Sequence, residues 1–266
     1  MEPRRLILFR FDREPLVCRS RVVGLRTFNP GTEIHGLYGG EGHRKTMTRA
    51  AGRQLLGLDD LYVSRHRGMW NWRNPDLLIR EWFRERGHLV DFDVLHVVEW
   101  DLLLMAPLAD LYGHVPQDAV ALTCLTPTSS LEGRWEWLTG KENLLEWASL
   151  RSHAEAAWGP GGPSMACLGA GPALPRRFVE AYAAAKVPEL CHDELRLPLA
   201  ASALGFERVD TGFRPHWFAD RNEDPFFHVE AHPLSPQVLE GEWRRPDGRR
   251  AFHPVRHRVV LSSWSS

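Results

Sequence analysis

The chain has 266 residues, 43% of them hydrophobic, enough to bury a substantial core in one domain or two closely packed halves. Its 33 basic and 34 acidic residues nearly cancel and no long single-sign run occurs, so the charge pattern gives no reason to expect nucleic acid as a partner. The four cysteines, Cys18, Cys124, Cys167 and Cys191, are scattered without a CxxC pair, which argues against a disulfide framework or a cysteine zinc site and suits a reducing compartment.

"MEPRRLILFRFDREP" opens with an apolar run too short for a secretory signal, and nothing later approaches a membrane span, so the expectation is a cytoplasmic protein with no transmembrane segment. "RLILFRF" reads as a short buried strand ending at Asp12. "DREPLVCRSRVVGL" reads as a helix capped by Asp12, with Pro15 in its first turn. "TEIHGLYGG" (32–40) is a second strand running into glycines, "RKTMTRAAGRQLLGL" a second helix and "DLYVSR" a third strand. The clearest helix is "NPDLLIREWFRERG" (74–87). Asn74 suits its N-cap, Pro75 the first turn and Asp76 the positive helix end, while Leu78, Ile79, Trp82 and Phe83 form its apolar face. "DFDVLHVVEW" follows as a strand.

Strands alternating with helices predict an α/β sandwich with a mostly parallel central sheet. Ligands of such sheets bind beyond the carboxyl ends of the strands, where Glu99-Trp100-Asp101 falls. The second half is less regular. Residues 126–163 read as loops with short strands or helices, and the glycine-rich "GPGGPSMACLGAGPALP" (159–175) as a loop that lets backbone approach a ligand. "ALPRRFVEAYAAAK" (173–186) and "CHDELRLPLAASALG" (191–205) read as helices, the latter with Pro198 inside it, and "FERVD" as a strand. The tail "RRPDGRRAFHPVRHRV" is polar and turn-rich.

On an extended segment, carboxylates at i and i+2 face the same way, so Glu99 and Asp101 are expected to share one cleft. Oxygen donors of this kind suit Mg²⁺ or Mn²⁺, which take one or two carboxylates and fill their other positions with phosphate oxygens. The plainer alternative pairs Glu99 with an arginine and uses Asp101 to cap a turn.

The strand-ending triplet in "VVEWDLLL" resembles the DxD-type motif of GT-A fold glycosyltransferases. "LILFRF", "NPDLLIREWF", "CHDELRLP" and "FHPVRH" follow the order of that fold, as its first nucleotide-side strand, the helix before the motif, the later acidic helix start and the late histidine. Glu99 stands where the family's first Asp would be. The resemblance implies a single Rossmann-like three-layer sandwich of GT-A type, with residues 1–105 as the nucleotide-sugar-binding half and 106–266 as the acceptor half and tail. It implies transfer of a sugar from a nucleotide-sugar donor to a hydroxyl of a small-molecule or glycan acceptor. Arg10, Asp12, Asp76, Glu99, Trp100 and Asp101 would bind the donor. Asp101, Glu99 and His253 would hold Mn²⁺ or Mg²⁺, with His232 as the alternative histidine. Asp193 or Glu194 would be the catalytic base, although both also suit a helix start.

Other patterns are weaker. His228 and His232 lie four apart in extended sequence, where the span of roughly 13 Å is too long for one ion. Trp70, Trp72, Trp135 and Trp137 sit in polar, turn-rich stretches and suit stacking on sugar in an acceptor cleft. Neither a phosphate-binding P-loop nor a GxSxG nucleophile elbow is present. A nucleotidyltransferase on a similar sheet, or a non-catalytic carbohydrate-binding protein of the same shape, would use much of the same pattern.

Overall fold

The computed structural model of the protein describes residues 2–41, 47–214, 217, 224–228 and 234–260. In chain order, β1 (Arg5–Phe11), α1 (Pro15–Phe28) and β2 (Glu33–Tyr38) are followed by α2 (Arg49–Ala51), which runs into a π-helical turn at Gly52–Leu56. Then come β3 (Asp60–Val63), α3 (Met69–Arg73), α4 (Pro75–Glu85), β4 (Val94–Glu99), β5 (Leu103–Leu104) and α5 (Leu108–Leu111). The second half contributes β6 (Val120–Pro127), α6 (Lys141–Trp158), β7 (Met165–Pro175) and α7 (Arg176–Ala184). It ends with α8 (Asp193–Ala203), β8 (Arg208–Asp210), α9 (Pro236–Arg244) and β9 (Ala251–Phe252).

Seven strands make one sheet in the order β3-β2-β1-β4-β7-β6-β8, while β5 and β9 pair as a separate antiparallel ribbon. In the large sheet β7 alone runs against its neighbours, β4 and β6. The fold is therefore α/β, a mostly parallel mixed sheet with helices on both faces, consistent with a Rossmann-like sandwich. Burial explains the uninterrupted apolar strands: a sheet covered on both faces needs no polar alternation. In β1, Ile7, Phe9 and Phe11 pack against Cys18, Val22 and Leu25 of α1, while Leu6 and Leu8 join the cluster of Leu78, Ile79, Trp82 and Phe83 from α4. Among the described residues no helix is long and apolar enough to cross a membrane.

The chain order reverses between β1 and β4. Strands β1, β2 and β3 progress one way across the sheet and β4 returns to the other side of β1. The crevice beyond the carboxyl ends at such a reversal is where open α/β sheets bind ligands. Arg10 and Glu99 are register partners at that point.

Three expectations from sequence are overturned. The glycine-rich stretch at 159–175 is not a loop over its length, because Met165–Pro175 is β7, held between β4 and β6. Pairing on both edges overrides the poor strand propensity of Gly, Ala and Pro. Residues 126–163 contain the 18-residue helix α6, rich in Leu, Glu and Ala, with Trp147, Leu150 and Ala154 turned inward. Capping also differs. Glu14, not Asp12, precedes α1, and Asn74 makes no cap bond, since its amide donates to the Trp70 carbonyl and its Oδ1 accepts from Arg196.

Pro198 is accommodated inside α8. Its missing N–H would have bonded the Glu194 carbonyl, and the Cys167 thiol, at 3.6 Å, donates to that oxygen instead. The β5–β9 ribbon brings the C-terminal segment to the carboxyl edge of the sheet, where the Val255 N–H donates to the Asp101 carbonyl at 2.7 Å. Arg21, buried in α1, donates to the carbonyls of Val255 and His257 and holds that segment in place.

Candidate active site

β4 ends at Glu99, and the chain turns at once through Trp100 and Asp101, closed by the Leu102 N–H to the Glu99 carbonyl at 3.0 Å. Glu99 and Asp101 are therefore not two side chains of one extended segment. Each has its own hydrogen-bond partners, although His253 acts electrostatically on both.

Glu99 is almost wholly buried, at 6% exposure. Its Oε2 accepts the Gly171 N–H at 3.0 Å, and Oε1 lies 3.5 Å from Arg10 Nη2 without a hydrogen bond. Burial pushes this carboxyl upward, and Arg10 and the Gly171 N–H offset only part of that. Asp101 keeps 9% exposure. His253 Nε2 lies 3.6 Å from its Oδ1, and Arg256 Nε donates to Oδ2 at 3.5 Å. Burial would raise this carboxyl too, but the two cations outweigh it and hold it below its ordinary value. The His253 ring is fixed from behind, since Nδ1 donates to the His228 carbonyl at 2.8 Å. Burial would lower its pKa, yet Asp101 and that carbonyl raise it overall. Arg13 adds a further cation, with its guanidinium 5.9 Å from the centre of the Trp100 ring. Asp12, at the end of β1, is engaged by Arg13.

The second acidic group starts α8. His192 Nδ1 is 2.7 Å from Asp193 Oδ1 and 3.6 Å from Glu194 Oε2, and all three side chains are largely buried. Nδ1 also lies 3.4 Å from the Glu194 N–H, as a capping acceptor would. The shorter contact to a carboxylate favours a protonated Nδ1 facing Asp193, and the two acids raise the imidazole pKa against the opposing pull of burial. Glu194 Oε1 accepts the Gly169 N–H at 3.0 Å. Burial, reinforced by Asp193 and opposed by His192, pushes Glu194 up to about 7.

β7 connects the two acidic groups. Gly169 holds Glu194 and Gly171 holds Glu99, two residues apart on one extended segment, which is roughly 7 Å. Gly171 has φ +73°, and a Cβ there would approach Phe213 to 3.0 Å and Leu102 to 3.1 Å, so only glycine fits. Glu99 and Glu194 are thus both tied to β7, a strand within the stretch expected to be a loop.

An aromatic surface flanks the α8 acids. The His192 ring stacks on Trp137 with centroids 4.9 Å apart and meets Trp72 edge-on at 4.8 Å. Trp72 is half exposed. Trp135 belongs to the core instead, and Trp70 stacks on His66 while its Nε1 donates to Glu189 at 2.9 Å. His192 gave no sequence signal of its own beyond standing next to the two acids.

Asp76 leaves the donor-binding set. It is fully buried, and Arg196 grips both its oxygens, Nε to Oδ2 at 2.7 Å and Nη2 to Oδ1 at 2.5 Å, while the Tyr182 hydroxyl donates to Oδ2. Arg196 overcomes the effect of burial and keeps the carboxylate ionised. The pair ties α4 to α8 and so steadies the helix carrying Asp193 and Glu194. The alternative histidine, His232, lies outside the described residues.

Among the described residues no group of three or more His, Cys, Asp or Glu side chains is arranged to hold a metal ion. At the 99–101 corner Asp101 and His253 offer two adjacent donors, with the far His253 nitrogen anchored on a backbone carbonyl as in metal-binding histidines. Two protein donors fit Mg²⁺ or Mn²⁺ only when a ligand's phosphate oxygens and water complete the shell. No protein-family model matches the chain, and a search of curated proteins finds no match.

Proposed function

We propose that the protein is a GT-A-like glycosyltransferase that moves a sugar from a nucleoside-diphosphate donor to an acceptor hydroxyl, with the 99–101 corner facing the diphosphate and the α8 acids facing the acceptor. The observation that carries this reading is the joint tethering of Glu99 and Glu194 to β7, at the carboxyl end of the strands where a parallel sheet reverses its order. One group has arginines around it and the other tryptophans, a charged side and a stacking side.

In the reaction the acceptor oxygen bonds to the anomeric carbon as the bond from that carbon to the diphosphate oxygen breaks. The bonding pair leaves on the diphosphate, so negative charge grows there. Arg10, Arg13 and Arg256 are fixed cations at that corner. A Mg²⁺ or Mn²⁺ ion held by Asp101 and His253, with Glu99 nearby, would share the same charge. Glu194 takes the acceptor's proton. A base with pKa about 7 is ionised in a useful fraction at neutral pH yet basic enough to accept a proton in the transition state. Asp193 holds His192, and His192 is packed between Trp72 and Trp137, so the acceptor-side wall is rigid. Trp72 presents its exposed face to the acceptor, where an indole stacks on sugar C–H surface.

The test is to incubate the protein with a panel of nucleotide sugars and glycan or small-molecule acceptors, with and without Mn²⁺, and identify the products. Release of nucleoside diphosphate with a glycosylated acceptor supports the reading. A parallel incubation with nucleoside triphosphates and sugar 1-phosphates that releases pyrophosphate identifies a nucleotidyltransferase instead, and failure to bind any nucleoside diphosphate leaves a non-catalytic protein.

A further inference from the structure

At the opposite end of the sheet, where the parallel strands begin, a cavity of about 200 Å³ opens between the starts of β1 and β4 and the turn after α5. Its walls are mixed, with Val94, Val115, Ala119 and Ala173 forming the apolar part. Its polar side chains are Arg5, His96, Tyr112 and Gln117, and the site at the carboxyl end of the sheet uses none of them.

His96 is completely buried, in the middle of β4. Arg5 Nη1 lies 2.9 Å from His96 Nε2. A guanidinium has only donors, so Nε2 is the acceptor of this bond and the ring proton sits on Nδ1. Burial and the Arg5 charge keep the imidazole neutral, with its pKa pushed down to about 3. The Nδ1–H has no hydrogen-bond partner, and neither does the Arg5 Nε–H, although both atoms are buried. Among the described residues no carboxylate forms an ion pair with Arg5, and half-burial lowers its pKa with only weak support from Glu2.

The cluster therefore holds a positive charge without a counter-ion at the wall of the cavity, with two orphaned donors buried in the same pair of side chains. A buried donor left without an acceptor is costly, and an uncompensated charge costs more. The Tyr112 hydroxyl is committed to the Gly171 carbonyl, and no carboxylate lines the cavity. A ligand with a carboxylate head and an apolar body meets both halves of the site. Size limits that body: a cavity of about 150 Å³ accommodates a benzene ring, so this one fits a ring or short chain bearing the carboxylate.

We infer that the Arg5–His96 cavity is a second ligand site, for a small organic carboxylate, with the carboxylate against Arg5 and His96 and the apolar body against Val94, Val115 and Ala173. It is separate from the glycosyl-transfer crevice, at the other end of the same strands, and stands whether or not that reading holds.

The test titrates the full-length protein with sodium benzoate, following melting temperature and the imidazole resonances of ¹³C,¹⁵N-labelled protein. Benzyl alcohol and inorganic phosphate serve as the neutral-body and bare-anion controls. Saturable benzoate binding that shifts the His96 signals is expected, with at least tenfold weaker binding of benzyl alcohol and of phosphate. Arg5→Gln, checked to melt within a few degrees of wild type, is expected to weaken benzoate at least tenfold. Equal binding of benzyl alcohol, binding of phosphate as tight as benzoate, or no saturable benzoate binding by the wild-type protein each overturns the inference. If Arg5→Gln does not fold, the benzoate-to-benzyl-alcohol ratio on wild-type protein decides it alone.

Discussion

Replacing Glu194 by Gln separates its chemical role from its structural one. The carboxyl is pushed from its ordinary 4.5 to about 7, which at 1.36 kcal/mol per pH unit corresponds to about 3 kcal/mol spent on keeping it ionised in the folded protein. The folded-state pKa lies above the unfolded one, so the folded state binds more protons between those values. Stability is therefore full below about pH 4.5 and falls as pH rises through about 7. Glu194→Gln removes this loss, while its amide oxygen still accepts the Gly169 N–H that Oε1 accepts now. About 3 kcal/mol is an upper bound, because the side chain keeps 15% exposure and the new amide NH₂ would face His192 Nδ1 at the Oε2 position. Relative to wild type the variant should gain melting temperature as pH rises from 4.5 to 8, by at most roughly 6–12 °C at about 2–4 °C per kcal/mol. At the same time, loss of the base lowers kcat by about 10²–10⁴-fold. Differential scanning fluorimetry across pH reads the first effect and product release with the accepted donor reads the second. A variant with wild-type turnover, or one whose stability tracks wild type at every pH, refutes the assignment of Glu194 as a buried base.

The remaining expectations are narrower. Asp76→Ala leaves Arg196 charged and wholly buried, so urea unfolding should show a loss of about 3–5 kcal/mol; a loss under 1 kcal/mol would mean the α4–α8 tie is not what holds α8. Gly171→Ala forces φ +73° on an L-residue and crowds Phe213 and Leu102. Chemical denaturation should show a cost of at least about 1–2 kcal/mol, with weaker donor binding as Glu99 loses its anchor, and unchanged stability contradicts the need for glycine. Trp72→Ala removes a half-exposed ring beside the α8 acids, so the acceptor KM should rise several-fold while donor affinity stays constant. An unaltered acceptor KM would remove the stacking wall from the site.

Much of the sheet was legible in sequence because burial on two faces leaves continuous apolar runs such as "RLILFRF" and "LHVVE", which end where charge returns. The α4 helix was legible for the complementary reason, a stripe at helical spacing behind Pro75. β7 was not, because a strand of Gly, Ala and Pro owes its conformation to neighbours on both edges rather than to its own preferences. That omission mattered for the site, since Gly169 and Gly171 fix both acidic groups. The role of Asp76 was misread for a related reason. A first-turn acid looks the same in sequence whether it meets solvent or a buried arginine 120 residues away. The meeting of Asp101 with His253 and Arg256 also depends on long-range pairing, through two-residue strands too short to leave a pattern.

The most direct measurement is calorimetric titration of nucleoside diphosphates (UDP, GDP, ADP, CDP and dTDP), with and without Mn²⁺, into wild-type protein and into Asp101→Asn and Arg10→Gln. At least one of the five should bind wild type with micromolar affinity, and each substitution should weaken that binding at least tenfold while leaving the melting temperature within a few degrees. No binding by any of them, or equal affinity in all three proteins, would mean that the corner at residues 99–101 is not a diphosphate site.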